Sequence, residues 1–212
     1  KYISGYVTVS SNVNGRELPI YSVETKEKKV ALSFDAAWGN DDTQKILEIL
    51  KKHGLHVTFF MTGGWVEKYP EDVKAIQAAG HDLGNHSENH KNMAQLSVEE
   101  QKTEIMTVHE KVKQLTGVDM QLFRPPYGRI KPSQAHRLSE RYHIVMWDVL
   151  SRDYSHLISP RTCLHNVTKH VKGGSIVVFH DSVKSFRNLR YALPRTLDFL
   201  YERGLKCSVI EL

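Results

Sequence analysis

The stretch Ser33-Phe34-Asp35-Ala36-Ala37-Trp38-Gly39 closes an apolar run, Val30 to Phe34, with a carboxylate. An acid just past a buried strand is costly unless it is paired, bound to metal or used. The alternative is a turn aspartate, ordinary chemistry beside Gly and Asn. Downstream, His86-Ser87-Glu88-Asn89-His90 sets two imidazoles four residues apart. On a helical turn they share a face and can reach one metal ion, although twelve histidines make a chance pair common. Glu88 has the wrong offset for the HExxH pattern, which argues against a zincin protease.

Phe123-Arg124-Pro125-Pro126-Tyr127-Gly128 is more specific. Two prolines fix the backbone and remove two donors, leaving the Tyr127 and Gly128 amides to point at something. Arg124 then projects from a strand end towards a site, or makes a surface ion pair. Ser175 to Ser182 is a buried run ending in His180-Asp181, where a histidine can shuttle a proton near neutral pH. Asp148 and Asp153, in the stretch 146–154, can each orient that histidine by a hydrogen bond.

The elements that must position these groups alternate. Strand patterns fall at 29–35, 56–61, 81–85, 121–124, 143–147, 175–180 and 206–211, and helical patterns at 43–53, 71–79, 97–116, 132–141, 160–171 and 191–203. The long helix opens on a Ser97–Glu100 capping box and stops at Gly117. Residues 1–28 form an N-terminal extension with a hairpin signal at Asn14-Gly15, ahead of a main domain at 29–212. Alternation of this kind predicts a parallel sheet, and the strand number suits an α/β fold of the incomplete, distorted (β/α)-barrel type. Asp35, His86, Arg124, Asp148 and His180 all fall at or just after strand ends, which in a barrel converge on one face.

Composition bounds the rest. With 40% hydrophobic and 25% charged residues over 212 positions, the chain is globular with one sizeable core. No apolar run approaches the length of a membrane span. The chain starts at Lys1, so a trimmed signal or anchor is expected. The formal charge of +5 comes without basic runs or interleaved aromatics, which disfavours nucleic acid as a partner. Cys163 and Cys207 fit no metal spacing and read as small hydrophobes, with a disulfide as the alternative.

The order of these motifs resembles the polysaccharide deacetylases of carbohydrate esterase family 4, the NodB-homology domain, over roughly residues 28–212. The resemblance implies a metal-dependent hydrolase of acetyl groups on sugars, with N-acetylglucosamine units of peptidoglycan or chitin-like oligomers as the expected substrate. Acetylxylan O-deacetylation and a catalytically reduced glycan-binding homologue are the alternatives. It implies Asp35 as base, Arg124 orienting it, the Tyr127 amide as oxyanion donor, Asp153 tuning the acid and His180 as the acid. Val178 is implied as the apolar wall for the acetyl methyl, with Tyr127 and Trp147 on the substrate. His86 and His90 are implied as ligands of a divalent metal, zinc first, with cobalt or nickel as alternatives. The expected protein is a monomer outside the cytoplasm, secreted or attached to the cell envelope. One departure stands out: the family's Thr-Phe-Asp-Asp-Gly places its third metal ligand where this chain has Ala36, leaving Asp41, Asp42 or water to complete coordination.

Overall fold

A computed structural model describes residues 12–13, 16–17 and 19–210 of the chain. Strands β1 (Asn12–Val13) and β2 (Arg16–Glu17) pair antiparallel, as the hairpin signal predicts; the Asn14-Gly15 turn itself lies outside the described residues. There follow β3 (Lys29–Trp38), α1 (Thr43–Lys52), β4 (Thr58–Met61), α2 (Gly63–Lys68), α3 (Pro70–Ala78), β5 (Asp82–Asn85) and α4 (Val98–Thr116). The chain continues through β6 (Leu122–Phe123), α5 (Pro132–Ser139), β7 (His143–Ile144), β8 (Val149–Leu150), α6 (Pro160–Thr168), β9 (Ile176–Ser182), α7 (Phe186–Glu202) and β10 (Lys206–Ser208).

The main sheet runs β7-β6-β5-β4-β3-β9-β8, with β10 against the first half of β3, and its pairings are all parallel. Side chains alternate across it, as the strand period requires. Leu32, Phe34, Phe59, Val177 and Phe179 face outward into the larger core beneath the helices, where Phe34 stacks on Phe59 and Phe179 at 5.1 and 5.8 Å. Phe60, Leu122, Val145, Ile176 and Ile210 fill the inside of the curl.

The curl is a barrel with a seam. β7 and β8 end the sheet and do not pair; residues 145–148 cross between them, with Val145 N–H donating to the Phe123 carbonyl and Asp148 N–H to that of Ile176. The N-terminal extension enters this gap, since Ile20 N–H donates to the Ile144 carbonyl and Met146 N–H to that of Ile20. The distorted α/β barrel read from the sequence is therefore the fold, but the strand expected at 143–147 shortens to His143–Ile144, and Val149–Leu150 is a further strand that the residue pattern does not show.

Helix α2 is six residues long, too short to show a period in the sequence, and is capped by Thr62 Oγ1 accepting from the Trp65 amide. Helix α7 begins five residues before the expected 191 and runs through Pro194. Its buried Leu189, Leu193, Leu197 and Leu200 form one stripe, whose packing holds the helix across the lost backbone bond. The Ser97–Glu100 box and a left-handed Gly117, φ 76°, bound α4 as expected. Both cysteines are free thiols, so the disulfide alternative falls.

Candidate active site

Asp35 stands on the inner face of β3, in direct register with His180 of β9. Arg124, just past β6, is wholly enclosed, which excludes the surface ion pair. Its Nη1 donates to Asp35 Oδ1 at 2.7 Å and to Ser33 Oγ at 2.9 Å. Nη2 and Nε donate to the carbonyls of Met146 and Val145 at 3.0 and 3.3 Å. Phe60 lies over the guanidinium at 4.1 Å and Trp147 at 5.6 Å. Burial works to raise the Asp35 pKa, but Arg124, then His86 and His180, hold the carboxyl below its ordinary value.

His86 follows β5 and sets its Nδ1 2.7 Å from the Arg124 carbonyl oxygen. Only an N–H can bond a carbonyl, so Nδ1 carries the proton and Nε2 keeps its lone pair, 3.7 Å from Asp35 Oδ2. The segment to His90 is not the helical turn its spacing suggested. Ser87 and His90 are left-handed, φ 67° and 54°. Asn85 Oδ1 accepts from Ser87 N–H, and the Glu104 carboxylate of α4 accepts from the Asn89 backbone and side-chain amides at 2.8 and 2.9 Å. These side chains take the donors that a helix would have used. The two imidazoles still meet, centroids 4.9 Å apart, with Trp38 and Tyr127 each 4.7 Å from His90. Burial depresses both histidines, His90 to about 4, so both are neutral imidazoles at neutral pH.

Of the two candidate partners of His180, Asp153 is the one. Its Oδ1 lies 2.7 Å from His180 Nδ1, and its Oδ2 accepts the His180 backbone N–H at 2.7 Å. Burial opposes the imidazolium, but Asp153, with Asp35 adding, raises the His180 pKa above its ordinary value. Asp148 instead accepts from Ser175 Oγ and Ile176 N–H at the opposite end of β9, so it is not at the C-terminal face.

In the Pro125-Pro126 loop, Gly128 N–H donates back to the Pro125 carbonyl, against expectation. Tyr127 N–H has no hydrogen-bond partner among the described residues, and the residue is left-handed at φ 60°. That backbone conformation is strained for a residue with a side chain. Gly128, also left-handed, lets Trp147 pack close: a Cβ there would lie 3.0 Å from the indole.

Asp35, His86, His90, Tyr127, Trp147 and His180 line one cleft of about 880 Å³, which Trp38, Leu150, Tyr154, Arg129 and Lys184 also line, with Arg124 and Asp153 buried behind it. Val178 does not reach it. It is fully buried one step below His180, and Leu150, its neighbour in register, supplies the apolar wall. Two-residue β8 is too short to show a period, so nothing in the sequence pointed to Leu150. Arg129 and Lys184 carried no motif at all.

His86 and His90 have what two metal ligands need: neutral rings, a fixed tautomer on His86, and a buried His90 Nδ1 without a hydrogen-bond partner. A third protein donor is missing. Among the described residues, no three His, Cys, Asp or Glu side chains converge as a metal site. Asp35 is held by Arg124, and the Ala36 methyl is buried in the outer core. Asp42 lies beside Lys45, and neither Asp41 nor Asp42 lines the cleft. The donor set does not fit a three-protein-ligand site.

Residues 22–144 match the family model described as polysaccharide deacetylase. The chain belongs to the polysaccharide deacetylase family. A peptidoglycan-N-acetylglucosamine deacetylase of Bacillus cereus is 34% identical over 76% of the chain, which spans 59% of that relative's length. The Bacillus subtilis peptidoglycan-N-acetylmuramic acid deacetylase PdaA is 28% identical over 88% of the chain and 76% of its own length. Among solved structures, wild-type BA3943 of Bacillus anthracis, a CE4 family pseudoenzyme, superposes with TM-score 0.84 at 31% identity over 91% of this chain and 67% of that one. A BA3943 mutant with restored enzymatic activity superposes equally well, at 32% identity, 91% and 69%. Polysaccharide deacetylases are generally metal-dependent, so the missing third donor in this member bears directly on its activity.

Proposed function

We propose that the chain hydrolyses N-acetyl groups of N-acetylglucosamine-containing glycans, peptidoglycan or chitin-like, with slow turnover. The observation that carries this reading is one cleft holding an ionised carboxylate, Asp35, directly across the ladder from a histidine whose proton is held up by Asp153.

Each residue then has a task. Arg124 occupies Asp35 Oδ1, so Oδ2 takes the proton of the attacking water as its oxygen bonds the acetyl carbon. The free Tyr127 N–H receives the developing oxyanion. The carbon–nitrogen bond breaks as His180 Nε2 protonates the departing amine, Nδ1 being engaged by Asp153. Leu150 and Trp147 offer apolar surface to the acetyl methyl. No step here passes through a metal.

Acetate release from N-acetylglucosamine oligomers, lost in His180→Ala with the fold intact, is the expected result. No release from any acetylated glycan, acetylxylan included, with glycan binding retained, would favour the second reading, a glycan-binding homologue without turnover. Ala36 and the likeness to BA3943 support that second reading. Either way the glycans lie outside the cell membrane, so we place the domain outside the cytoplasm. Among the described residues no helix is long and apolar enough to cross a membrane.

A further inference from the structure

Four donors converge on the Asp153 carboxylate. Oδ2 accepts the His180 backbone N–H, while Oδ1 accepts from His180 Nδ1 at 2.7 Å, Ser151 Oγ at 3.0 Å and the Tyr154 N–H at 3.1 Å. Ser151 and Asp153 are both fully buried. The Ser151 hydroxyl has a fixed direction, because its oxygen accepts the Asp153 N–H at 3.3 Å and its own proton is left for Oδ1.

That hydroxyl is not needed to place the loop. Ser151 N–H donates to the Val178 carbonyl, and Asn166 Nδ2 of α6 to the Ser151 carbonyl. Asn188 Nδ2 of α7 donates to the carbonyls of Asp153 and Ser155. The backbone on either side of Asp153 is thus held by groups that never touch its carboxylate. What remains for Ser151 Oγ is the charge. A donor on a carboxylate stabilises the anion and weakens its pull on a proton that it shares. Ser151 and His180 share Oδ1.

The other ionisable groups around His180 act elsewhere. Asp35 favours the imidazolium from across the ladder and Arg124 opposes it. His86 and His90 are neutral, and Tyr154 lies edge-on to the His180 ring at 4.8 Å. Cys163 of α6, near Asp153, keeps its proton, its pKa pushed up to about 12. Among the described residues, His180 and Ser151 supply the two side chains that bond Asp153 Oδ1.

We propose that Ser151 sets the acid strength of His180: its hydroxyl draws charge from Asp153, so that the imidazolium gives its Nε2 proton to the departing amine more readily than Asp153 alone would allow. Ser151 touches no reacting atom; it is a positioning residue that acts on that proton through Asp153. The proposal rests on His180 as the acid of the deacetylation and adds what tunes it.

The test follows the His180 ring by NMR titration of the intact chain, alongside acetate release from N-acetylglucosamine oligomers across pH. Ser151→Ala should raise the His180 pKa by about half a unit and move the alkaline limb of the rate profile up with it. The plateau below that limb should fall about twofold, because a weaker acid protonates the amine more slowly. Ser151→Thr, which keeps the hydroxyl, should restore the parent values. If the buried site rejects the extra methyl, the double variant decides: added to Asp153→Asn, Ser151→Ala should leave the His180 pKa unmoved, since the shared carboxylate is gone. A merely structural role predicts the opposite sign, because a loosened Asp153 would lower the His180 pKa. A pKa that falls or stays still in Ser151→Ala, or rises equally in the Asp153→Asn background, overturns the proposal and leaves the glycan reading standing. No acetate release from the parent, with the NMR shift present, overturns the glycan reading and leaves the coupling of Ser151 to His180 standing.

Discussion

Arg124 bonds Asp35 Oδ1 at 2.7 Å and the carbonyls of Val145 and Met146 through its other nitrogens, so one buried guanidinium both orients the carboxylate and closes the barrel seam. Site and fold are coupled at this residue. Arg124→Ala should therefore cost about 3–5 kcal/mol, because it leaves Asp35 buried and unpaired. Arg124→Ala with Asp35→Asn should recover part of that loss without recovering acetate release. Denaturant unfolding of both proteins reads the difference; equal stability would show that the seam bonds dominate.

Activity should follow the two shifted groups. Asp35, held low, is ionised through the acid range, whereas His180, held high, stays protonated past its ordinary value of 6.5. Turnover should then persist past pH 6.5 and fall as pH rises through the raised His180 pKa. Its stabilising contribution follows the same sign, complete below the unfolded value and lost through the folded one. Asp153→Asn should move the alkaline limb of the rate profile down by about one unit or more, since the pairing charge is gone.

Asp181 points the other way from His180, towards α1, where Thr43 Oγ1 donates to its Oδ2 at 2.6 Å and its Oδ1 has no partner. Burial, with Asp42, Asp72 and Asp41 adding, raises its pKa to about 7. The unfolded carboxyl ionises first, so this group reduces stability progressively as pH climbs from about 4 to 7. Asp181→Asn removes that dependence. Its stability gain should be about 2 kcal/mol larger at pH 8 than at pH 5, read from melts at both pH values; a gain independent of pH would contradict the assignment.

Ala36→Asp places a carboxylate beside Asp35 in the chain and opposite Asp181 in the ladder. The outer core around position 36 is apolar, so without metal the variant should melt lower than the parent. The escape is towards His86 and His90, where the new carboxylate completes a set of three. Zinc or cobalt should then raise its melting temperature and leave the parent nearly unmoved, because a ligand stabilises the state that binds it. A metal response no larger than the parent's would mean that the side chain stays in the core.

Much of this protein was legible from residue patterns. Alternating strand and helix patterns dictate a parallel sheet, because parallel strands need crossover helices. Chemistry-bearing residues at the strand ends then had to converge, and Asp35, His86, Arg124 and His180 do. These are local signals: period, caps, and the position of a polar residue within a run.

What no local pattern carries is which partner a group finds across the fold. Whether Asp148 or Asp153 holds His180 depends on which end of β9 each one meets, and only the register of β8 decides it. Val178 lost its place in the cleft to Leu150, its partner across the ladder: Val178 is covered on both sides by β3 and β8, whereas Leu150 stands on the last strand of the sheet and faces the cleft. The HSENH spacing was right about proximity and wrong about the turn, because Glu104, fifteen residues from Asn89, takes the amides of a nascent helix. The alanine at 36 was visible in the sequence at once. That among the described residues no other carboxylate completes a set of three with the histidine pair is a fact of three-dimensional distance, which only the folded chain determines.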